Sequence, residues 1–310
     1  MQATMQAPAV VRSTSCRVIE FDEIAFRENF NRKWFALEHN LANNPLFELD
    51  RLVALAKQTA RERPHDLHFD KGASRVGQRW NETPACELPV DETIRRIESE
   101  GAWIVLKHAD KDEAYKEVLE RAMCEVLELT GVELKKKINF AEVILFITSP
   151  GRLSTYHIDR ECNFLAQIRG DKTIHIFDRE DREILPEREI ERFWAVDNNA
   201  AVYKEQLQYR ADSFLLRPGN GVHIPVNSPH WLQNHDDISI TASLNFKFKD
   251  AVLANIYRAN YVLRKLDFEP TPPGQSPARD LLKKTVVTAA MSVANATPNI
   301  VRDGIKRIWR

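Results

Sequence analysis

INFAEVILFITSPGRLSTYHIDRECNFLAQIRGDKTIHIFD, residues 138–178, reads as short strands broken by turns rather than as helix. Its apolar, β-branched and aromatic pieces look like short strands, and Ser149-Pro150-Gly151 and Gly170-Asp171 separate them with the residues that turn a chain. Three further pieces of the same kind follow: DSFLLRP (212–218), GVHIP (221–225) and SITASLNFKFKD (239–250). Nothing among them is a helix long enough to carry the chain between parallel neighbours, so the strands are expected to pair antiparallel, in a barrel or sandwich. A double-stranded β-helix is one such fold. In the last piece Ile240, Ala242, Leu244, Phe246 and Phe248 share one face. Ser239, Thr241, Ser243, Asn245 and Lys247 share the other, which is therefore the face equipped for chemistry.

Outward from this core the period changes from two to that of a helix. Before it, Asn44-Pro45 marks a helix start followed by Leu49, Leu52, Val53 and Ala56 at three-and-four spacing. DKDEAYKEVLERAMCEVLELTG repeats the pattern, with Gly131 placed to end the helix. Trp103–Lys107 (WIVLK) is one added strand, and Arg61–Pro89 is polar and irregular. After the core, the Pro-rich joint EPTPPGQSP leads to a helix with Ser276 as cap, Pro277 first, and Leu281, Leu282, Val286, Ala289 and Ala290 inward. Thr297-Pro298 starts another. The expected organisation is a loose tail over 1–16, a mainly helical region over 17–136, a β core over 137–250, and C-terminal helices over 251–310 that could form a homodimer.

With Lys+Arg 44 against Asp+Glu 45, charge selects no partner class, and 43% hydrophobic residues is the composition of an ordinary globular chain. From Pro270 on, seven basic residues stand against two acids, an excess that could touch nucleic acid or anionic lipid but reads first as the solvated face of a packing or dimerisation helix. No helix-turn-helix with a basic recognition helix is present, so nucleic acid is not an expected partner. Cys16, Cys86, Cys124 and Cys162 lack the spacing of a zinc knuckle or disulfide framework, which fits a reducing cytoplasm. No apolar run is long enough to cross a bilayer, and the first residues lack the features of a signal peptide.

His157 and Asp159 are one residue apart, a spacing that on a strand points both side chains the same way. Two histidines and one carboxylate on one face of an octahedron hold iron(II) in many oxygenases and leave three positions open. The third ligand must come from elsewhere. His230, 71 residues past Asp159 on a turn marked by Pro229, can return to the same place in a barrel. His175, His223 and His235 compete with it, and each of the four also reads as a hydrogen-bonded structural histidine.

The stretch 138–250 resembles the cupin-like JmjC oxygenases, among them the asparaginyl hydroxylase of hypoxia-inducible factor. The resemblance is carried in register by His157-Ile158-Asp159, Asn163-Phe164, Gln167-Ile168, Gly170-Asp171-Lys172, Pro218-Gly219-Asn220, Ile224-Pro225, His230 and Asn245. It implies iron(II) bound by His157, Asp159 and His230. It implies 2-oxoglutarate as cosubstrate, anchored at its far carboxylate by Lys172, helped by Ser154 or, in its place, Thr155 or Tyr156, with Asn163 and Asn245 near its iron-bound end. The implied reaction consumes dioxygen and 2-oxoglutarate, releases succinate and carbon dioxide, and hydroxylates a substrate. Asp159 disfavours halogenation, because related halogenases lack this carboxylate.

Two other classes remain compatible with the residues. A metal-dependent cupin of another reaction type needs no 2-oxoglutarate anchor, so Lys172 and the asparagine pair speak against it. A non-catalytic regulator on the same scaffold would not need an intact ligand set. The substrate, whether a protein or peptide side chain or a small molecule, is not named by fold or metal chemistry. Arg61–Pro89 and Glu180–Asp212 are the expected entrance-lining segments, being long irregular connections.

Overall fold

The structure is a computed structural model that describes residues 17–73, 75–248 and 251–296. In chain order its elements are β1 (Ile19–Glu20), α1 (Glu23–Asn29), β2 (Phe35–His39), α2 (Leu49–Glu62), β3 (Leu67–Asp70), α3 (Val90–Arg95), α4 (Ile97–Glu100), β4 (Trp103–Leu106), α5 (Glu113–Thr130) and α6 (Val132–Lys137). The barrel strands follow as β5 (Ile138–Thr148), β6 (Leu153–His157), β7 (Cys162–Arg169), β8 (Lys172–Ile176), β9 (Asp212–Leu216), β10 (Asn220–Ile224), β11 (His230–Asn234) and β12 (Ser239–Phe248). Helix α7 (Glu187–Ala195) lies between β8 and β9, and α8 (Ala251–Lys265) and α9 (Pro277–Ala296) close the described chain.

The strands form two antiparallel sheets, one of eight strands in the order β1-β2-β10-β7-β12-β5-β4-β3 and one of four in the order β6-β11-β8-β9. From β5 to β12 the chain crosses repeatedly between them, so β5, β7, β10 and β12 stand opposite β6, β8, β9 and β11. This is a double-stranded β-helix, as the strand-and-turn pattern predicts. Its interior is packed by Leu165, Ile174, Ile176, Phe214, Leu216, Val222, Ile224 and Leu232, all buried and drawn from both sheets. Each such side chain contributes on the order of 1.5–3 kcal/mol on leaving water. The hydroxyl- and amide-bearing face of β12 lies on this interior too. From Ser239 to Phe246 both of its faces are buried, so the alternation separates a dry side from a polar side rather than core from solvent.

The N-terminal region departs from expectation. WIVLK forms β4, but β1, β2 and β3 also join the large sheet, and their period-two signal is too short to stand out from the helices around them. Asn44 caps the turn Pro45–Phe47 and α2 begins after it, at Leu49. Gly131 ends α5 with φ 79°.

The described residues divide into two compact units, 17–178 with 203–248, and 179–202 with 251–296. The first holds the barrel. In the second, α8 packs on α7 and α9, with Arg264 Nε 2.5 Å from the buried Glu191 carboxylate. Glu180–Asp212 is thus not an irregular connection, since α7 lies within it and belongs to the second unit.

The expected inward stripe of α9 is also corrected. Leu281, Leu282 and Val286 are 63%, 65% and 57% exposed, and Ala289 and Ala290 are exposed as well. Lys283 and Val287 take the packed line instead. Two lines at i, i+4 spacing compete on one helix, and Lys283 wins burial by donating to the Thr271 carbonyl at 2.7 Å. The Thr297-Pro298 start, the tail over 1–16 and Arg302, Lys306, Arg307 and Arg310 lie outside the described residues.

Candidate metal centre and its buried lysine

His157 ends β6, Asp159 follows it in the next turn, and His230 opens β11 directly opposite His157. The two ligands of the triplet are therefore not both on a strand, as the spacing suggests. The chain leaves β6 at His157, and the turn brings Asp159 back. The Asp159 carboxylate lies 3.8 Å from His157 Nε2 and 3.7 Å from His230 Nε2. One donor atom from each of the three lies within 4.8 Å of the others, the spacing of ligands around one ion. Among the described residues this is the one such group of histidine, cysteine or carboxylate donors.

Both rings are set for coordination by their backbones. A carbonyl only accepts, so His157 Nδ1–H donates to Thr155 O at 2.6 Å and His230 Nδ1–H donates to Ser228 O at 2.9 Å. Each Nε2 is left with its lone pair toward Asp159. Burial, and then the neighbouring His157, hold the His230 imidazole well below its ordinary pKa and so keep it neutral. His230 is 4% exposed in its side chain while His157 and Asp159 are 32% and 30% exposed, so the centre opens to one side. Imidazole and carboxylate donors with positions left open suit iron(II).

The competing histidines have structural occupations. His175 stacks on Trp231 with centroids 3.9 Å apart and meets the Ser213 hydroxyl at 2.6 Å, and its burial lowers the pKa to about 4. His235 Nε2 is 2.8 Å from the Thr173 hydroxyl. His223, fully buried, sits among Phe30, Phe35 and Phe164. Trp231 and Tyr156, adjacent to the ligands in sequence, bond and stack elsewhere, Trp231 Nε1 donating to Gln208 and Tyr156 meeting Phe177 and Tyr203.

Deeper in the same interior, Lys172 starts β8. It is 3% exposed, and its ammonium donates to Thr241 Oγ1 at 2.9 Å. Thr241 donates in turn to Gln167 Oε1 at 2.8 Å, and Gln167 is fixed by the Arg169 and Gly170 carbonyls and the Ser239 hydroxyl. Among the described residues no carboxylate lies within ion-pair distance of Lys172. Burial alone therefore lowers its pKa, from 10.5 to about 7. A buried cation with hydroxyl company and no counter-charge fits an anionic ligand.

Asn234 pairs with Lys172 across β11 and β8 while His230 pairs with Ile176. Lysine and metal centre are thus four residues apart along one sheet, roughly 13 Å of strand. The four-carbon lysine stem and a five-carbon diacid share that span. Asn163 and Asn245 face each other on β7 and β12, 4% and 7% exposed. Asn163 Oδ1 is buried without a hydrogen bond, whereas Asn245 Oδ1 accepts from Ser243 at 2.6 Å.

Ser154 reaches the same face through a bulge. His230 pairs with His157 but Leu232 pairs with Ser154, so two steps on β11 match three on β6. Without the extra residue, positions 154 and 157 would point to opposite faces. Beside this bulge runs the 61–89 stretch, where Ala73 bridges Leu153 and Val76 O accepts Tyr156 N–H at 2.9 Å.

Sequence reasoning names the triad, Lys172 and the asparagines but assigns nothing to Thr241 or Gln167. Thr241 was findable, since it stands on the polar face of β12. The carbonyls of Thr155 and Ser228 leave no trace in residue type.

No protein-family model and no curated protein sequence matches this chain. Among solved structures it is similar to E. coli YcfD, at 14% identity over 88% of this chain and 68% of that chain with a TM-score of 0.49. A second structure, described as the E. coli ribosomal oxygenase YcfD, matches at 16% identity over 88% and 67%, TM-score 0.47. A third, of YcfD in complex with cobalt and 2-oxoglutarate, matches at 14% identity over 87% and 66%, TM-score 0.45.

Proposed function

We propose that this chain is an iron(II)- and 2-oxoglutarate-dependent oxygenase of the cupin-like JmjC type, hydroxylating an amino-acid, peptide or protein side chain or a small molecule. The observation that carries the reading is one barrel interior holding both the His157, Asp159 and His230 donors and a buried lysine without a counter-charge.

In this reading His157, Asp159 and His230 hold the metal through two Nε2 atoms and one carboxylate oxygen. Lys172 and the Thr241 hydroxyl receive the far carboxylate of 2-oxoglutarate, restoring the charge balance that the lysine lacks. Asn163 and Asn245 orient its other end, and Ser154 adds a hydroxyl from the bulged face. Iron(II), when bound, would activate dioxygen as the oxidant, with 2-oxoglutarate giving two electrons as it loses carbon dioxide and takes one oxygen atom to become succinate, and the substrate C–H bond giving two more as it takes the other. The chain's own part is to keep water from the dry floor lined by Ile174, Ile176 and Leu232 and to leave the His157–Asp159 side open to substrate. The 61–89 stretch beside β6 is the proposed wall of that entrance.

Anaerobic titration with iron(II) and 2-oxoglutarate tests the reading through the weak visible charge-transfer band of the chelate, beside a succinate assay in air. His230→Ala removes the band, and Lys172→Ala raises the 2-oxoglutarate concentration needed to reach it. Wild-type protein with neither band nor tight iron binding would overturn it.

We further propose that α9 self-associates. Leu281, Leu282 and Val286, each more than half exposed, form an apolar stripe that a second copy would cover.

A further inference from the structure

Asn31 lies outside the site, in the turn after α1, yet it is bonded to residues that stand behind both halves of it. Its backbone is left-handed, φ 50°, a conformation that asparagine tolerates better than most side chains. This turns its N–H onto His223 Nε2 at 3.0 Å. With Nε2 accepting, the proton of His223 sits on Nδ1, which donates to the Asn163 carbonyl at 3.0 Å. The imidazole, fully buried, is a rigid link from Asn31 to the backbone that presents the Asn163 amide.

The side chain of the same residue acts in the other direction. Asn31 Oδ1 accepts from Val226 N–H at 3.1 Å. Val226 belongs to the loop Pro225–Pro229, which carries the metal ligands' supports. Asn227 N–H donates to Asp159 O at 2.9 Å, and Ser228 O fixes the His230 ring. One asparagine therefore braces the loop behind two metal ligands with its amide oxygen, and the cosubstrate amide with its backbone N–H.

We infer that Asn31 is a positioning residue that sets metal affinity through Val226 and 2-oxoglutarate affinity through His223. The inference rests on the oxygenase reading and makes a prediction that general loosening of the fold does not, because the two arms separate by substitution. Asn31→Gly keeps the left-handed backbone and loses the amide oxygen. Asn31→Ala loses the oxygen and strains the backbone. Asn31→Asp keeps an acceptor and tolerates the conformation.

The experiment is anaerobic calorimetry of each variant with iron(II), then with 2-oxoglutarate at saturating iron(II), beside its thermal midpoint. Asn31→Gly is expected to weaken iron(II) binding about 3- to 10-fold, the loss of one hydrogen bond. Its 2-oxoglutarate affinity stays within about twofold. Asn31→Ala weakens both, and Asn31→Asp restores iron(II) binding to within about twofold of wild type. Unchanged affinities in the glycine and alanine variants overturn the inference, as does a parallel loss of both in Asn31→Gly. Wild-type protein that binds neither iron(II) nor 2-oxoglutarate overturns the oxygenase reading itself, and the inference with it.

Discussion

Lys172 shows most plainly how one residue reports on a missing charge. Held at about 7 by burial, against its ordinary 10.5, the ammonium gives the folded protein fewer protons than the unfolded chain between those values. Stability of the ligand-free protein therefore rises with pH across this window, by up to about 1.4 kcal/mol per unit, and the increment is lost as pH falls toward 7. Denaturant unfolding of ligand-free protein at pH 7.5 and 9 should show the rise in wild type and its loss in Lys172→Met. The ligand has the opposite dependence. In the proposed reading 2-oxoglutarate needs the ammonium, so its affinity should fall as pH rises above 7, by at most about tenfold per unit, in calorimetry at fixed iron(II). Thr241→Val, which removes the hydroxyl beside the ammonium, should raise the Michaelis constant for 2-oxoglutarate about 3- to 10-fold with little change in turnover at saturation.

At the scale of elements, two local irregularities place the site. The bulge on β6 turns Ser154 to the His157 face, and the prediction follows from that register. Ser154→Ala should weaken 2-oxoglutarate binding a few-fold, roughly the worth of one hydrogen bond, while Thr155→Ala should leave it unchanged. Equal effects would mean that the strand runs without the extra residue. The β7–β8 turn is the second. Gly170 has φ 72°, and a Cβ there would stand 2.3 Å from Ile238 O, so only glycine lets β8 begin where Lys172 must start. Gly170→Ala should cost roughly 1–3 kcal/mol in denaturant unfolding and should weaken 2-oxoglutarate binding through the displaced lysine.

Across the whole molecule, the proposed oxygenase site and the proposed self-association belong to separate units. The donors, Lys172 and Asn31 all lie in the unit formed by 17–178 and 203–248, and α9 lies in the other. Leu282→Glu with Val286→Glu should convert a dimer to a monomer in analytical ultracentrifugation, with iron(II) and 2-oxoglutarate binding retained. A wild-type protein that is already monomeric would remove the self-association proposal and leave the oxygenase reading untouched.

The sequence by itself determined the strand-and-turn pattern of the barrel, the polar side of β12 and the residue types of the donors, because period two and turn chemistry are local properties. Helix α5 and its end at Gly131 were legible for the same reason. His230, by contrast, was one of four candidate histidines by spacing alone, and it was its place in the resembled pattern, five residues after Pro225, that set it apart from His223. Only the return of β11 against β6 places it beside His157, leaving His223 to brace Asn163 from behind. The buried state of Lys172, the bulge that turns Ser154 inward and the outward stripe of α9 were likewise decided in three dimensions. Burial, register and choice of packed face depend on what strands and helices distant in sequence bring alongside, and a local pattern holds no record of that.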